Sequence, residues 1–489
     1  MAKRQTPTMI ENDSMVSSFV PTDFTDVGQG TLLAQAYPHR LCYCERIGWL
    51  VYNDGIWVHS DSDAHGYSQK LTNLQLQEAE ENLRSKYSQA KSSASFDDTF
   101  HKYVLSRRSS AKISATMKEA IPGLKIDVDI LDGDPLILNT PVGEVHLDTG
   151  EITPHDPMHY ITHMTTQSPS DEGSALWSTF IDQISCGDND IKDFLQQFAG
   201  MAAIGKVYEE RLIIALGSGG NGKSTFFNAI QDVLGDYAGT IRSELMIASN
   251  DSGKKFEYAN LRGKRFIIAE ELEEGKQLDT AALKHLCSTG DINAQFKGKD
   301  VFTFKPSHST VLCTNHMPSV KAVDSGTWDR LIVVPFNGRF RDQKSEIKNY
   351  GAYLVEHCGG AILQWIIEGA QQYIRNDYKL IIPEAIKDSV QSYRKENDWT
   401  IDFFEECLSF EPNASTTGSE LYRTYKLYCQ GHSMHALPQN VVLPIIEAHP
   451  NVTKKRTRSG MCYEGVEPSK SEGLLILDYG AMKTKCNAW

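Results

Sequence analysis

Residues 211–225 read RLIIALGSGGNGKST. The apolar run from Leu212 to Leu216 predicts a buried strand, the glycines a tight turn, and the residues from Lys223 onward a helix. Gly217-x-x-x-x-Gly222-Lys223-Ser224 has the spacing of a phosphate-binding loop, in the strand–turn–helix context that such a loop requires. Glycines let the backbone curl until its N–H groups converge on phosphate oxygens, and the helix N-terminus adds partial positive charge there. Lys223 has the reach for β- and γ-phosphates, and the Ser224 hydroxyl can ligate Mg²⁺. The candidate nucleotide contacts are therefore Gly217, Ser218, Gly219, Gly220, Asn221, Gly222, Lys223, Ser224 and Thr225.

The next 110 or so residues add chemistry to nucleotide binding. A second apolar strand over 264–269 ends in Glu270-Glu271, two carboxylates placed for Mg²⁺ and for polarising an attacking water. The alternative is an acidic solvated stretch, since Glu273 and Glu274 follow. A third strand, Ser309 to Thr314, ends at Asn315, whose amide could sense a γ-phosphate. Arg330 precedes a fourth strand, Leu331 to Pro335, and could neutralise transition-state charge on a neighbouring subunit's nucleotide. Between the second and third strands, residues 292–305 predict a hairpin with Lys297 and Lys299 at a Gly298 turn, a tip suited to a DNA backbone.

Before the core, a helix is expected over 29–37, two strands around Asn53-Asp54-Gly55, helices over 68–90 and 98–120, strands over 136–153 and helix over 174–205. Beyond it come a helix over 350–375, another opened by Pro383, and short helices with a strand–turn–strand near 451–478. The expected organisation is a flexible tail over 1–25, an α+β domain over 26–168, the ATPase domain with a helical collar over 169–375, and a helical, winged-helix-like domain over 376–489.

The chain has 489 residues, 40% hydrophobic and 23% charged, as in ordinary globular proteins. No stretch has the ~20 uninterrupted apolar residues of a membrane span, and the N-terminus lacks a secretory apolar core. Ten cysteines without paired spacing fit reduced thiols in a cytoplasm. A net charge of −14 excludes a protein that coats DNA over its whole surface and confines any contact to basic spots or a channel.

The order GSGGNGKST, RFIIAEELEEG, VLCTN and GTWDRLIVVPF resembles superfamily 3 helicases, closest to the phage and plasmid primase–helicase branch and similar to poxvirus-type proteins. RIGWLVYNDGIWV and ILNTPVGEVHLDTGEITPHDP match that branch's N-terminal pattern, and YRKENDWTIDFF its post-core helix, so the resemblance covers roughly residues 30–410. It implies an AAA+-like α/β core and a ring, usually a hexamer, that translocates 3′-to-5′ on single-stranded DNA, with ATP and Mg²⁺. It also implies Lys223 and Ser224 as nucleotide and metal contacts, Glu271 as catalytic acid and Glu270 beside the metal. Asn315 would be the polar sensor, Arg330 the arginine finger, and Lys297 and Lys299 the hairpin DNA contacts. Relatives often carry Asp-Glu where this chain has Glu270-Glu271, which leaves the division of labour open. Expected partners are single-stranded and forked DNA, further copies of the chain, and a separate primase or polymerase, in the cytoplasm of a host cell and away from membranes. An ATP-switched origin-binding or remodelling protein is the alternative.

Three further signals carry less. Asp127 and Asp129 resemble a primase metal pair without the other primase motifs, and His155, His159 and His163 lack a completing ligand. Lys454, Lys455, Arg456 and Arg458 form a basic turn suited to a DNA-binding wing.

Overall fold

The computed structural model describes residues 14–88, 96–247, 254–273, 275–295, 298, 301–320, 325–340, 349–397, 399–432, 436–457 and 460–469. It has a mixed α/β architecture in two units. The first comprises Met1–Glu273, Ala281–His316 and Arg330–Ile386, and the second Glu274–Thr280, Met317–Asp329 and Lys387–Trp489.

The first unit opens with α1 (Asp26–Ala36), whose N-terminal Gly28 N–H donates to the Thr25 hydroxyl at 3.2 Å. Strands β1 (Leu41–Cys44), β2 (Gly48–Asn53) and β3 (Ile56–His59) form an antiparallel meander. Asp54 and Gly55, both at positive φ, make the two-residue turn between β2 and β3. Helices α2 (Asp61–Ser88), α3 (Phe96–Arg107) and α4 (Ser110–Leu124) follow, then β4 (Lys125–Ile126), which pairs parallel with β1. The single helix expected over 98–120 is thus two, and Ser109 takes the extended conformation that precedes α4. Residues 14–25 are not a free tail: Phe19 is buried, its N–H donates to Glu78 at 2.6 Å, and Phe24 stacks on Tyr103 at 4.6 Å. Two aromatic side chains and a paired backbone outweigh the polar composition of that stretch. A second antiparallel sheet, β5 (Ile137–Thr140), β6 (Gly143–His146) and β7 (Ile152–Thr153), completes this half of the unit.

Helices α5 (Ser174–Ile184) and α6 (Asn189–Met201) divide the expected 174–205 helix. Cys186 and Gly187 take positive φ, and Asp188 accepts from Asp190 N at 2.9 Å to start α6. The chain then runs β8 (Leu212–Leu216), α7 (Lys223–Leu234), β9 (Ala238–Ile241), α8 (Lys254–Tyr258), β10 (Phe266–Ala269), α9 (Thr280–Cys287), β11 (Ile292–Gln295), β12 (Val301–Phe304), β13 (Ser309–Thr314), α10 (Ser325–Trp328), which belongs to the second unit, β14 (Leu331–Pro335) and α11 (Tyr350–Arg375). Five strands form one parallel sheet in the order β14-β8-β13-β10-β9. Strands β8, β10 and β14 are nearly continuous apolar runs, as burial on both faces demands. Trp177 of α5, Phe198 of α6, Phe226 and Phe227 of α7 and Ile366 of α11 share one core with the sheet.

The two halves of this unit are joined through Arg265, only 3% exposed, which donates to the carbonyls of Ala203 and Ile137, both at 2.8 Å, and lies over the Tyr237 ring. Tyr237 in turn accepts the Asn139 N–H at 3.1 Å.

The second unit holds α12 from Lys387 onward (Glu384–Asn397), α13 (Trp399–Cys407), β15 (Leu408–Ser409), β16 (Ser415–Thr417), α14 (Gly418–Gly431), α15 (Gln439–Glu447), β17 (Thr453–Thr457), β18 (Gly460–Glu464) and β19 (Glu467–Pro468). The order β16-β18-β17 makes an antiparallel sheet behind the helices, around a core of Trp399, Phe403, Tyr425, Ile446 and Tyr463. The strand–turn–strand expected near 451–478 occupies 453–464, and its part beyond residue 469 lies outside the described residues.

Helices α6 and α11 touch backbone to backbone. A Cβ on Gly200 would lie 2.0 Å from Ala370 N. Gly200→Ala is therefore expected to lower stability by about 1–3 kcal/mol, the usual cost of overpacking; a urea melt with the wild-type midpoint would contradict this contact.

Candidate active site

The parallel sheet sends the C-terminal ends of β8, β10 and β13 to one edge, and the candidate residues follow those ends. Leu216 is level with Thr314, so Gly217 and Asn315 leave the sheet side by side, and Gly217 N donates to Thr314 O at 3.2 Å. The loop between β8 and α7 turns through Gly219, Gly220 and Gly222 at φ 91°, 67° and 82°. At Gly222 a side chain would be strained and would also meet Ile184 at 2.5 Å. The segment after β14 braces the loop: Asn221 Nδ2 donates to Phe336 O at 3.0 Å, and Phe340 N to Gly220 O at 2.9 Å.

Lys223, 4% exposed, opens α7. Its ammonium donates to Thr314 O at 2.6 Å, Asn315 Oδ1 at 3.0 Å and Gly217 O at 3.3 Å. Among the described residues it forms no ion pair. Burial pulls its pKa below the ordinary lysine value, and the negative charge of Glu271 opposes that. A buried cation held only by neutral oxygens is poised for an anion. Ser224 is exposed and Thr225 partly so, on the first turn of α7, and Ser218 is exposed in the loop.

Glu270 and Glu271 are exposed beyond β10. Glu270 N continues the sheet by donating to Ile241 O at 2.9 Å, and the Glu271 carbonyl accepts from the Ser243 hydroxyl at 3.2 Å. Of the two carboxylates, Glu271 is the one whose charge acts on both Lys223 and Cys313. Cys313 itself has no role in the sequence reading. Burial pushes its thiol up to about 12, so it is a neutral wall of the site. Only its place one residue before Thr314 could have signalled it.

Arg330 stands apart. It precedes β14, whose Leu331 is level with Leu212, so about 20 Å of strand separates its level from that of Gly217. Its guanidinium pairs with Glu210, which also accepts the Thr289 N–H at 3.1 Å. The lysines of the expected hairpin tip, Lys297 and Lys299, lie outside the described residues, as does Arg458; the hairpin arms themselves are β11 and β12. In the second unit Lys454 pairs with Glu447 at 2.9 Å and Lys455 with Glu464 at 3.0 Å, while Arg456 is exposed. The discounted histidines have local partners: His159 pairs with Glu144, His163 with Asp132, and His155 Nε2 meets Thr140 O. No group of three metal-ligating side chains occurs among the described residues. No helix among them is long and apolar enough to cross a membrane.

Residues 30–186 match the family model described as D5 N terminal like, and residues 215–330 match a family of unknown function, DUF5906. The relatives include "Putative helicase 022R" of Frog virus 3, 23% identical over 56% of this chain and 30% of its own length. "Putative primase C962R" of African swine fever virus is 23% identical over 70% of this chain and 40% of its own. "Putative helicase L207/L206" of Acanthamoeba polyphaga mimivirus is 28% identical over 31% of this chain and 16% of its own. Over these segments the chain is similar to the D5 N terminal like family model and to these viral helicases and primases. It spans less than half the length of each of these relatives. Among solved structures, the apo form of the NrS-1 C-terminal region is similar at 10% identity and TM-score 0.43, covering 72% of each chain.

The Glu210–Arg330 pair makes a pH-dependent contribution to stability. Burial raises the Glu210 pKa, but hydrogen bonds from Thr289 and Arg330 outweigh it and hold the carboxyl below its ordinary value of 4.5. A depressed folded pKa stabilises above the unfolded value and is lost as pH falls through the folded one. Glu210→Gln is expected to cost about 1 kcal/mol at pH 7 and to approach wild-type stability at pH 3. A gap in thermal midpoint that does not shrink between those pH values would overturn this assignment.

Proposed function

We propose that the chain is an ATP-dependent DNA helicase of the superfamily 3 type, acting in replication of a virus, phage or other mobile element. The observation that carries this reading is Lys223, buried without a carboxylate partner at a glycine loop, beside Asn315 and within the field of Glu271. The sheet order supports it. Counted along the chain from β8 as strand one, the strands lie in the order 5-1-4-3-2, with the loop after the first and the acidic pair after the third, in keeping with an AAA+-like core.

In this reading the loop from Gly217 to Thr225 holds the triphosphate of ATP, and Lys223 exchanges its carbonyl contacts for phosphate oxygens. Ser224 and Glu270 hold Mg²⁺, which would neutralise charge on the phosphates. Glu271 orients and polarises the attacking water, and Asn315 reports the γ-phosphate to β13. Lys297 and Lys299 meet single-stranded DNA in the channel of a homo-hexameric ring moving 3′-to-5′. The order of α13, β16, α14, α15, β17 and β18 supports a winged-helix reading of the second unit, with Arg456 and Arg458 joining Lys454 and Lys455 at the wing. Exposed ion pairs such as Lys454–Glu447 are weak enough to yield to phosphates. The protein would work in the host cytoplasm, with a primase or polymerase as a separate partner.

Strand displacement on forked DNA tests the reading. Wild type should unwind the fork with ATP, and Lys223→Ala should lose hydrolysis and unwinding by about 10²-fold or more. Wild-type hydrolysis in that variant would overturn the site. ATP binding by wild type without unwinding would favour the ATP-switched origin-binding or remodelling alternative.

Arg330 is proposed as the arginine finger supplied to a neighbouring subunit, because it lies at the opposite edge of the sheet from its own loop. A charge supplied in trans is worth ~10³–10⁵ in rate. Arg330→Ala should bind ATP but hydrolyse it poorly, and mixing it with Lys223→Ala should restore activity at interfaces that pair an intact loop with an intact arginine. With subunit exchange shown independently, a mixed rate no higher than the weighted mean of the parents would exclude the role in trans.

A further inference from the structure

A cleft of about 1370 Å³ lies within the first unit, between the β1–β3 meander, the turn around Val128–Gly133 and the wall formed by β12 and the residues after it. Five cations line it: Arg46, Lys206, Arg262, Lys264 and Lys305. Among the described residues none of the five forms an ion pair, in a chain of net charge −14. Lys264 donates to the Asp236 carbonyl, Lys206 lies over the Tyr208 ring, and Arg262 donates to Val128 O at 3.2 Å. Arg46, Lys206 and Lys305 are exposed.

The cleft also contains acids, but two are engaged in its wall. Asp132 accepts from Thr162 N at 2.7 Å and pairs with His163, and Asp236 accepts from Met164 N at 3.3 Å. Asp129, Asp236 and Asp291 are exposed, and the lining as a whole sets five cations against four carboxylates, two of which already accept hydrogen bonds in the wall. Burial lowers the pKa of Arg262, Asp132 opposes that, and nearby Arg46 lowers it further. Arg46 and Arg262 line the same cleft and, among the described residues, form no ion pair, an arrangement that favours an anionic ligand there. Phe302, half-buried on β12, lines the same cleft and offers a ring to unpaired bases.

We propose that this cleft is a second binding site for single-stranded DNA, continuous with the hairpin. The inference rests on the helicase reading, because β12 is both the returning arm of the hairpin and a wall of the cleft. A strand that meets the hairpin turn has this cationic cleft beside the same β-arm. The cations contact phosphates along its backbone, and the acidic remainder of the surface keeps DNA from other paths.

The test measures binding of fluorescein-labelled dT20 to the full chain across a salt series. Arg46→Glu combined with Lys206→Glu and Lys305→Glu should weaken binding and flatten the plot of log affinity against log salt by about 2, at roughly 0.7 per phosphate contact. The charge-conserving triple, Arg46→Lys with Lys206→Arg and Lys305→Arg, should keep wild-type affinity and slope, which a purely structural role for charge reversal would not explain. Thermal midpoints of both triples check the fold. Wild-type affinity and slope in a folded charge-reversed triple would overturn the cleft. If Lys297→Ala with Lys299→Ala still loses binding in that case, the helicase reading stands without it. If wild type neither binds dT20 nor unwinds forks, both fall.

Discussion

The constraint on which the rest depends is the register of β8 between β13 and β14. A parallel strand buried on both faces pairs along its whole length, so Leu216 and Thr314 must end level. That brings a glycine loop, a carbonyl and an amide to one point, where Lys223 can reach all three. Shift β13 by one residue and Thr314 would turn to the opposite face of the sheet. The apolar strand cores therefore hold the chemistry in place, although none of their side chains takes part in it.

The loop is braced from several directions. Ile184 of α5 occupies the space that a side chain at residue 222 would need, and the segment after β14 hydrogen-bonds to Asn221 and Gly220. Movement of the collar helix or of the post-β14 segment would thus be felt by the loop directly. Arg265 extends the same logic to the N-terminal half. A cation with no exposed surface to speak of bridges Ala203 and Ile137, so the β5–β6 sheet cannot separate from the core without stranding a buried charge.

Charge is handled locally throughout. Carboxylates outnumber cations in the chain, yet among the described residues Lys223 and the five cations of the cleft form no ion pairs, while Arg330, Lys454 and Lys455 have carboxylate partners. Unpaired cations in an acidic protein mark where an anionic ligand is favoured over the protein's own acids. Where pairs do form at exposed positions they are weak and exchangeable.

The sequence by itself determined the strand–loop–helix at 211–225, the apolar strands with polar residues at their ends, and the hairpin at 292–305. Each is local: a run of apolar residues, a glycine spacing or a turn sits within one window and needs no distant partner to be read. Helix breaks at 108–109 and 186–188 were missed because apolar periodicity continues across them, and only capping and positive φ decide the break. The packing of residues 14–25 was missed because Phe19 and Phe24 find their partners on helices tens of residues away. That Arg330 lies at the far edge of its own sheet, and that five distant cations share one cleft, were decided by tertiary structure alone. Strand order, register and long-range electrostatics depend on which segments become neighbours, and the linear spacing of residues carries no record of that.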